Sequence, residues 1–214
     1  MARTTVLRDK IVDAALALAE TSSWEAVRLH DVAAALGLSL NDIRAHFREK
    51  EELVDAWFDC ADRAMLDDAV TPQFQALPSR QRLHRAIMVW LTTLAAHKKV
   101  TREMICGRME PGHLHVQFPG LLRISRTVQW FREAAQRDAT FLRRALEETG
   151  TTAIYLVTFF YWMRDDSANN RRTGELLERL LTGAQMMSKR VWGQWPRPTE
   201  AGRRSDSTGN SSSS

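Results

Sequence analysis

The sequence contains few cysteines and no long apolar run, and both features restrict the class of protein. Only Cys60 and Cys106 occur in 214 residues, so no disulfide framework is indicated. The closest approach to a membrane span, AIYLVTFFYWM at residues 153–163, is about half the roughly 20 residues that a spanning helix needs. Residues 1–19 also lack the charged and then apolar pattern of a secretion leader. We therefore expect a cytoplasmic protein without stable membrane insertion.

Sequence signatures of catalysis and of metal binding are absent as well. The chain has no Gly-rich phosphate loop and no nucleophile elbow, and its helical carboxylates alternate with arginines as on solvated faces. His113 and His115 lie two residues apart in a Pro- and Gly-containing stretch, and the sequence places no third metal donor beside them. We expect no enzymatic activity, no cofactor and no metal site.

The charge distribution gives little support for nucleic-acid binding by itself. The chain has 30 basic and 26 acidic residues. Residues 1–50 hold seven of each sign, whereas residues 189–204 hold five basic residues and one acidic residue. The basic character therefore belongs mainly to the C-terminal end, and any argument for DNA binding depends on motifs instead.

The apolar residues recur with helical spacing, and neither a strand pattern nor an internal repeat is present. With 44% hydrophobic and 26% charged residues, the composition is that of an ordinary globular protein. We predict an all-α protein of about nine helices. A helix-turn-helix domain occupies residues 1–50 and a helical ligand-binding and dimerisation bundle occupies residues 51–192. Residues 193–214, rich in Gly, Arg and Ser, form a disordered tail.

Residues 27–50 predict two short helices joined by a tight turn. Val32, Ala33 and Leu36 form a small apolar face that ends at Gly37, which can adopt the left-handed conformation that stops a helix. Ser39 can cap the next helix, in which Ile43 and Phe47 repeat the apolar spacing. A preceding helix over residues 11–19 completes a three-helix unit. The helix from Lys50 to Val70 continues into the C-terminal bundle and can transmit rotation.

This stretch resembles the DNA-binding domain of the TetR family of bacterial transcription regulators. The matching elements are DVAAALGLS from Asp31 to Ser39, His46-Phe47, and Lys50 to Leu53. The resemblance implies an all-helical homodimer whose variable C-terminal domain binds a ligand. It also implies an interface made by the last two long helices, for which the apolar stripe of the final helix supplies Leu177, Leu180, Leu181 and Ala184.

The predicted DNA contacts lie on or beside the exposed face of the second helix of the motif. They are Arg28, Ser39, Leu40, Asn41, Arg44, Ala45, His46 and Lys50. The alternative interpretation of this face is a solvated helix surface. Three positions depart from the family pattern: Arg28 replaces a capping Thr, Asp42 replaces Thr or a small residue, and Arg44 replaces Tyr. The arginines can offer charge-assisted phosphate contacts, but Asp42 would be repelled if it faced a phosphate.

The C-terminal domain is rich in aromatic residues at helical spacing, which form either a core or a pocket lining. The predicted pocket consists of Trp90, Trp130, Phe131, Tyr155, Phe159 and Trp162, and it would bind a small apolar ligand or a lipid.

Two functions follow from these patterns. The first is a ligand-responsive transcriptional repressor that binds double-stranded DNA as a homodimer at a near-palindromic operator. The alternative depends on residues 152–190, which resemble the C-terminal region of the ubiquinone-biosynthesis (Coq-type) lipid-binding proteins. That resemblance implies a lipid-binding protein with the TetR-like fold and no DNA-binding function.

Overall fold

Every regular element in the described part of the chain is helical. The computed structural model describes residues 2–108, 127–131, 133–134 and 141–193. The all-α prediction is confirmed in these ranges. The predicted tail lies outside them, apart from Gly193 at the end of the last helix, and so do His113 and His115.

Three helices form the N-terminal unit: α1 (Ala2–Thr21), α2 (Leu29–Leu36) and α3 (Leu40–Arg44). Helix α1 packs against α2, and α2 packs against α3. Their common core contains Ile11, Ala15, Val32, Ile43 and Phe47, each at most 1% exposed. The apolar spacing in the sequence therefore identifies the residues that hold this unit together.

The turn between α2 and α3 has the geometry that its sequence predicts. Gly37 has a φ of 64°, and its N–H donates to the last carbonyls of α2. A side chain there would strain this left-handed backbone. The Ser39 hydroxyl accepts the N–H of Asp42 and so caps α3. Both predictions, Gly37 as the stop and Ser39 as the cap, are confirmed.

The larger part of the chain is a helical bundle. Its elements are α4 (Glu51–Ala69), α5 (Pro72–Gln75), α6 (Ser79–Ala95), α7 (Lys98–Arg108), α8 (Phe141–Trp162) and α9 (Arg171–Gly193). Residues 127–131 and 133–134 are also helical. Helix α4 packs mainly along α6 and also contacts α1. Because α4 begins at the edge of the N-terminal unit, one hydrophobic core runs from α1 into the bundle.

A polar turn joins α8 to α9. Asn169 and Asn170 have positive φ values of 55° and 54°, a conformation that Asn tolerates better than most residues. The Asp165 carboxylate accepts hydrogen bonds from the Thr173 N–H at 2.9 Å and the Thr173 hydroxyl at 2.6 Å. Lys98 of α7 donates to the Asp165 carbonyl oxygen. These bonds hold the turn and the start of α9 against α7.

In the ranges that the structure covers, no helix is long and apolar enough to cross a membrane.

Candidate nucleic-acid interface

The inner face of α3 belongs to the core and its outer face is exposed. Ile43 and, just beyond the helix, Phe47 are each 1% exposed. The opposite side carries Leu40, Asn41, Arg44 and Ala45, all exposed. We call these four residues the outer face of α3. Positions three and four apart share one side of a helix, so these side chains form a single surface.

Asp42 is turned back toward Ser39. Its carboxylate accepts the Ser39 backbone N–H at 2.9 Å and the Ser39 hydroxyl at 2.7 Å, while the Asp42 N–H donates to the Ser39 hydroxyl oxygen at 3.2 Å. These bonds to Ser39 hold the pKa of Asp42 below its ordinary value. The capping box directs the carboxylate to the Ser39 N–H and hydroxyl and occupies that hydroxyl, but Asp42 stays ionised and its negative charge remains at the start of α3.

Two of the predicted DNA contacts, Arg28 and Arg44, have exposed guanidinium groups near α3. Arg28 precedes α2 in an extended conformation, and its side chain makes no capping bond. Neither the Arg28 nor the Arg44 guanidinium group has a hydrogen-bonded or ionic partner among the described residues, and both side chains are exposed. His46 is half-buried and lies close enough to contribute to the lowered pKa of Asp42. The two guanidinium groups are therefore available to an anionic partner.

The ammonium group of Lys50 makes its hydrogen bonds within the protein. It donates to the carbonyl oxygens of Trp24 at 2.5 Å and Glu25 at 3.1 Å, and it lies 4.8 Å from the centroid of the Trp24 ring. Burial, together with the nearby Arg28, lowers the pKa of Lys50. The side chain thus fastens the α1–α2 loop to the start of α4. Sequence spacing gave no indication of this contact across 26 residues.

Five of the six predicted pocket residues meet in one buried aromatic cluster. Its members are Trp90, Phe131, Tyr155, Phe159 and Trp162, together with Phe58 of α4, and neighbouring ring centroids lie 5.4–6.1 Å apart. Trp130 is 42% exposed and lies outside the cluster. Adjacent positions on a helix point about 100° apart, so Trp130 and Phe131 face different surroundings.

Polar groups are present in and beside the aromatic cluster. Asp62 of α4 is 7% exposed, and its carboxylate accepts the Trp90 indole N–H at 2.7 Å and the Thr127 hydroxyl at 3.4 Å. Trp162 is completely buried, and its indole N–H has no acceptor in the described part of the chain. The carboxylates of α4 follow a pattern typical of a solvated face, so the sequence gives no signal for the burial of Asp62.

The predicted dimer residues divide between two faces of α9. Leu177 and Leu181 are 0% and 4% exposed, and they join the buried Thr173 in a stripe that faces the core of the same chain. Leu180 is half-buried and Ala184 is exposed. Met187, three residues beyond Ala184, is 69% exposed. Leu177 and Leu181 therefore pack inside the chain, because the more strongly apolar stripe of an amphipathic helix faces its own core.

Within the bundle, helix α7 contacts α4, and it also contacts the N-terminal unit. The indole N–H of Trp57 on α4 donates to the Thr101 hydroxyl at 2.9 Å in a buried contact. His97, next to the start of α7, lies 3.1 Å from the Glu20 carboxylate at the end of α1. The surface that presents α3 is thus supported from the bundle as well as by its own core.

Comparisons with known proteins agree with this architecture. The model for bacterial regulatory proteins of the TetR family matches residues 11–57. The crystal structure of a TetR transcriptional regulator from Nitrosomonas europaea ATCC 19718 is 53% identical in sequence, with a TM-score of 0.77; the match covers 84% of this chain and 98% of that one. A TetR regulator from Rhodococcus sp. RHA1 shares the fold at 17% identity and a TM-score of 0.60, with 84% and 97% of the two chains covered. No curated protein matches the chain. On the family model and the Nitrosomonas structure together, the chain belongs to the TetR family of bacterial transcriptional regulators.

Proposed function

We propose that this regulator is a ligand-responsive repressor that binds a near-palindromic operator as a homodimer. The observation that carries the proposal is the division of α3 into two faces. Ile43 on the inner side anchors the helix in the core, while Leu40, Asn41 and Arg44 on the outer side are exposed. A short helix held rigidly from behind can enter the major groove without rearrangement.

The DNA contacts are of two kinds. Arg44 and Asn41 have the donor geometry for base edges, since Arg pairs with guanine and Asn pairs with adenine in the major groove. Arg28 is suited to a phosphate, because it is exposed and has no ionic partner among the described residues. Ser39 and Lys50 support the surface from within, and Ala45 permits close approach of the DNA backbone.

The proposed dimer forms through the exposed side of α8 and α9, which pack against each other. Val157, Phe160 and Tyr161 of α8 are 51%, 37% and 41% exposed and lie three and four residues apart. On α9, Leu180 is half-buried and Ala184 and Met187 are exposed, and they lie three and four residues apart on one side of the helix. Pairing with a second copy would bury both stripes in a four-helix contact. Two copies of α3 would then face half-sites about one helical turn apart.

The ligand response uses the aromatic cluster and α4. Phe58 of α4 stacks on Trp90 with ring centroids 5.8 Å apart and an interplanar angle of 14°. A ligand that enters the cluster would displace this stack and tilt α4, which begins directly after the N-terminal unit. The indole N–H of Trp162, which has no acceptor among the residues that the structure covers, favours an apolar molecule that carries a hydrogen-bond acceptor. Such coupling between sites is typically about 1–3 kcal/mol.

The alternative function is a lipid-binding protein of the same fold that does not bind DNA. The buried aromatic cluster supports it, because aromatic walls suit an acyl chain as well as a compact ligand. The free arginines beside α3 favour the regulator, since a lipid-binding function would give them no partner.

Selection of DNA by the purified protein distinguishes these functions. A randomised duplex pool should yield an enriched palindrome, and log affinity for it should fall linearly with log salt concentration. Arg44→Ala should reduce the enrichment, and Arg28→Ala should reduce the salt slope by about one. The absence of any enriched sequence, with lipid detected by mass spectrometry in the purified protein, would overturn the repressor proposal in favour of lipid binding.

A further inference from the structure

The first residue of α3 is an exposed leucine. Leu40 is 55% exposed, so its side chain contributes little to the core of the unit. A single exposed leucine is ordinary on a protein surface, and its significance depends on its position. Leu40 is the one large apolar side chain on the outer face of α3, where it accompanies Asn41, Arg44 and Ala45.

The surroundings of Leu40 suit an apolar contact in the major groove. Leu40 and Arg44 lie four residues apart on one side of the helix, so they would meet neighbouring base pairs. The Asp42 carboxylate is hydrogen-bonded to the Ser39 N–H and hydroxyl at 2.9 and 2.7 Å and keeps its negative charge, which does not oppose an apolar contact as it would a phosphate contact. Among the base edges of the major groove, the 5-methyl group of thymine is the apolar feature.

We propose that Leu40 reads a thymine in each half-site through its 5-methyl group. This inference depends on the proposed DNA-binding function and adds a specificity-determining residue to it. Arg44 and Asn41 provide the polar contacts, and Leu40 discriminates thymine from bases that lack a methyl group at this place. The contact between Leu40 and the methyl group requires no hydrogen bond, so it can be removed without changing the hydrogen bonds that Asn41 and Arg44 make to the bases.

Thymine-to-uracil replacement tests the contact directly. The duplex enriched from a randomised pool by the full-length protein is resynthesised with deoxyuridine at one symmetric pair of thymines at a time. Uracil keeps the Watson–Crick hydrogen bonds and loses only the methyl group. For the wild-type protein, deoxyuridine at one symmetric pair of thymines should lower the affinity for the duplex by about fourfold per half-site. This is the value expected for the loss of one buried methyl group.

Leu40→Ala should bind the thymine and the uracil duplexes equally well. The matched control is Val70→Ala, which removes an apolar side chain that is 78% exposed at the far end of α4. This control should keep the uracil penalty of the wild type. Circular dichroism and thermal unfolding should show that both variants remain folded.

The possible results are separable. If an operator is enriched but no uracil duplex binds more weakly than its thymine counterpart, the Leu40 contact is overturned and the repressor proposal stands. A uracil penalty that persists unchanged in Leu40→Ala also overturns the contact. If the pool yields no enriched sequence, both proposals fail together.

Discussion

The carboxylate of Glu103 on α7 accepts a hydrogen bond of 2.6 Å from the backbone N–H of Trp24 in the α1–α2 loop. The carbonyl oxygen of Trp24 accepts a hydrogen bond of 2.5 Å from the Lys50 ammonium group. Both polar backbone groups of Trp24 are therefore held by side chains from outside α1 to α3. Helix α7 is thus in direct contact with the N-terminal unit, in addition to the connection through α4.

Replacement of Glu103 tests the importance of this contact. We expect Glu103→Ala to reduce the free energy of unfolding by about 1–2 kcal/mol, because a hydrogen bond to a charged group is lost. Amide hydrogen exchange at Trp24 should accelerate. Lys99→Ala is the control: it removes contacts of 3.4 and 3.5 Å to the carbonyl oxygens of Glu20 and Ser22 and a 4.0 Å ion pair with Glu103, but it keeps the bond from Glu103 to Trp24, so its effect should be below about 1 kcal/mol. Unchanged exchange at Trp24 in Glu103→Ala would contradict this role.

Lys50 and Arg44 should differ in how they affect DNA binding. Lys50→Ala should destabilise the fold, because it removes the ammonium donor from the carbonyl groups of Trp24 and Glu25. The salt dependence of DNA binding should remain near the wild-type slope in this variant. Arg44→Ala should leave stability nearly unchanged and should weaken operator binding by about 1–3 kcal/mol, with relaxed specificity at the base that it contacts. A lower slope for Lys50→Ala, without loss of stability, would assign Lys50 to a phosphate instead.

The two faces of α9 should respond differently to substitution. Met187→Glu, at an exposed position of the proposed dimer face, should shift the protein from dimer to monomer and leave the helix content unchanged. Leu177→Ala should instead reduce the free energy of unfolding by about 2–5 kcal/mol, because it opens a cavity in the core of the chain. Sedimentation velocity and denaturant titration measure the two effects. A dimer that survives both Met187→Glu and Val157→Glu would place the interface elsewhere.

Acid should weaken the α8–α9 turn through Asp165. Burial opposes ionisation of this carboxyl group, but the hydrogen bonds donated by Ser167 and Thr173 outweigh burial and hold the pKa of Asp165 well below its ordinary value. Since the pKa is lowered in the folded state, the stabilisation is complete above the unfolded value of about 4 and is lost as the pH falls below it.

Asp165→Ala should therefore cost about 1–3 kcal/mol at neutral pH, because the buried donors of Thr173 lose their acceptor. Its stability should also vary less between pH 4 and pH 2 than that of the wild type, as urea titrations at each pH would show. Asp166→Ala is the control, since that carboxylate is 88% exposed and pairs with Arg102 at 3.3 Å. Identical pH profiles for Asp165→Ala and the wild type would contradict this assignment.

Local chemistry explains which parts of the fold were predictable from the sequence. The stop at Gly37 and the cap at Ser39 depend on residues within a few positions, so their signals are contained in the motif. The capping partner Asp42 also has a local signal, the Ser-x-x-Asp spacing, which predicts the capping box that the structure shows. The sequence therefore indicates where α3 begins.

The features that sequence reasoning missed depend on contacts between distant segments. Lys50 reaches a loop 26 residues away and Glu103 reaches one 79 residues away, distances over which no periodicity applies. The apolar spacing of α9 predicted its stripe correctly but did not distinguish the core of the same chain from the surface of a partner. Leu177 and Leu181 were assigned to the interface for that reason.

The two faces of α3 also have a consequence for evolution and engineering. The residues that fold this helix, Ser39, Asp42 and Ile43, are different from those that face outward, Leu40, Asn41 and Arg44. In the proposed repressor, changes at the outward positions would alter operator preference while the fold retains its stability. A few substitutions there would therefore redirect such a chain to new operators, and the same three codons are the natural targets for a library of variants.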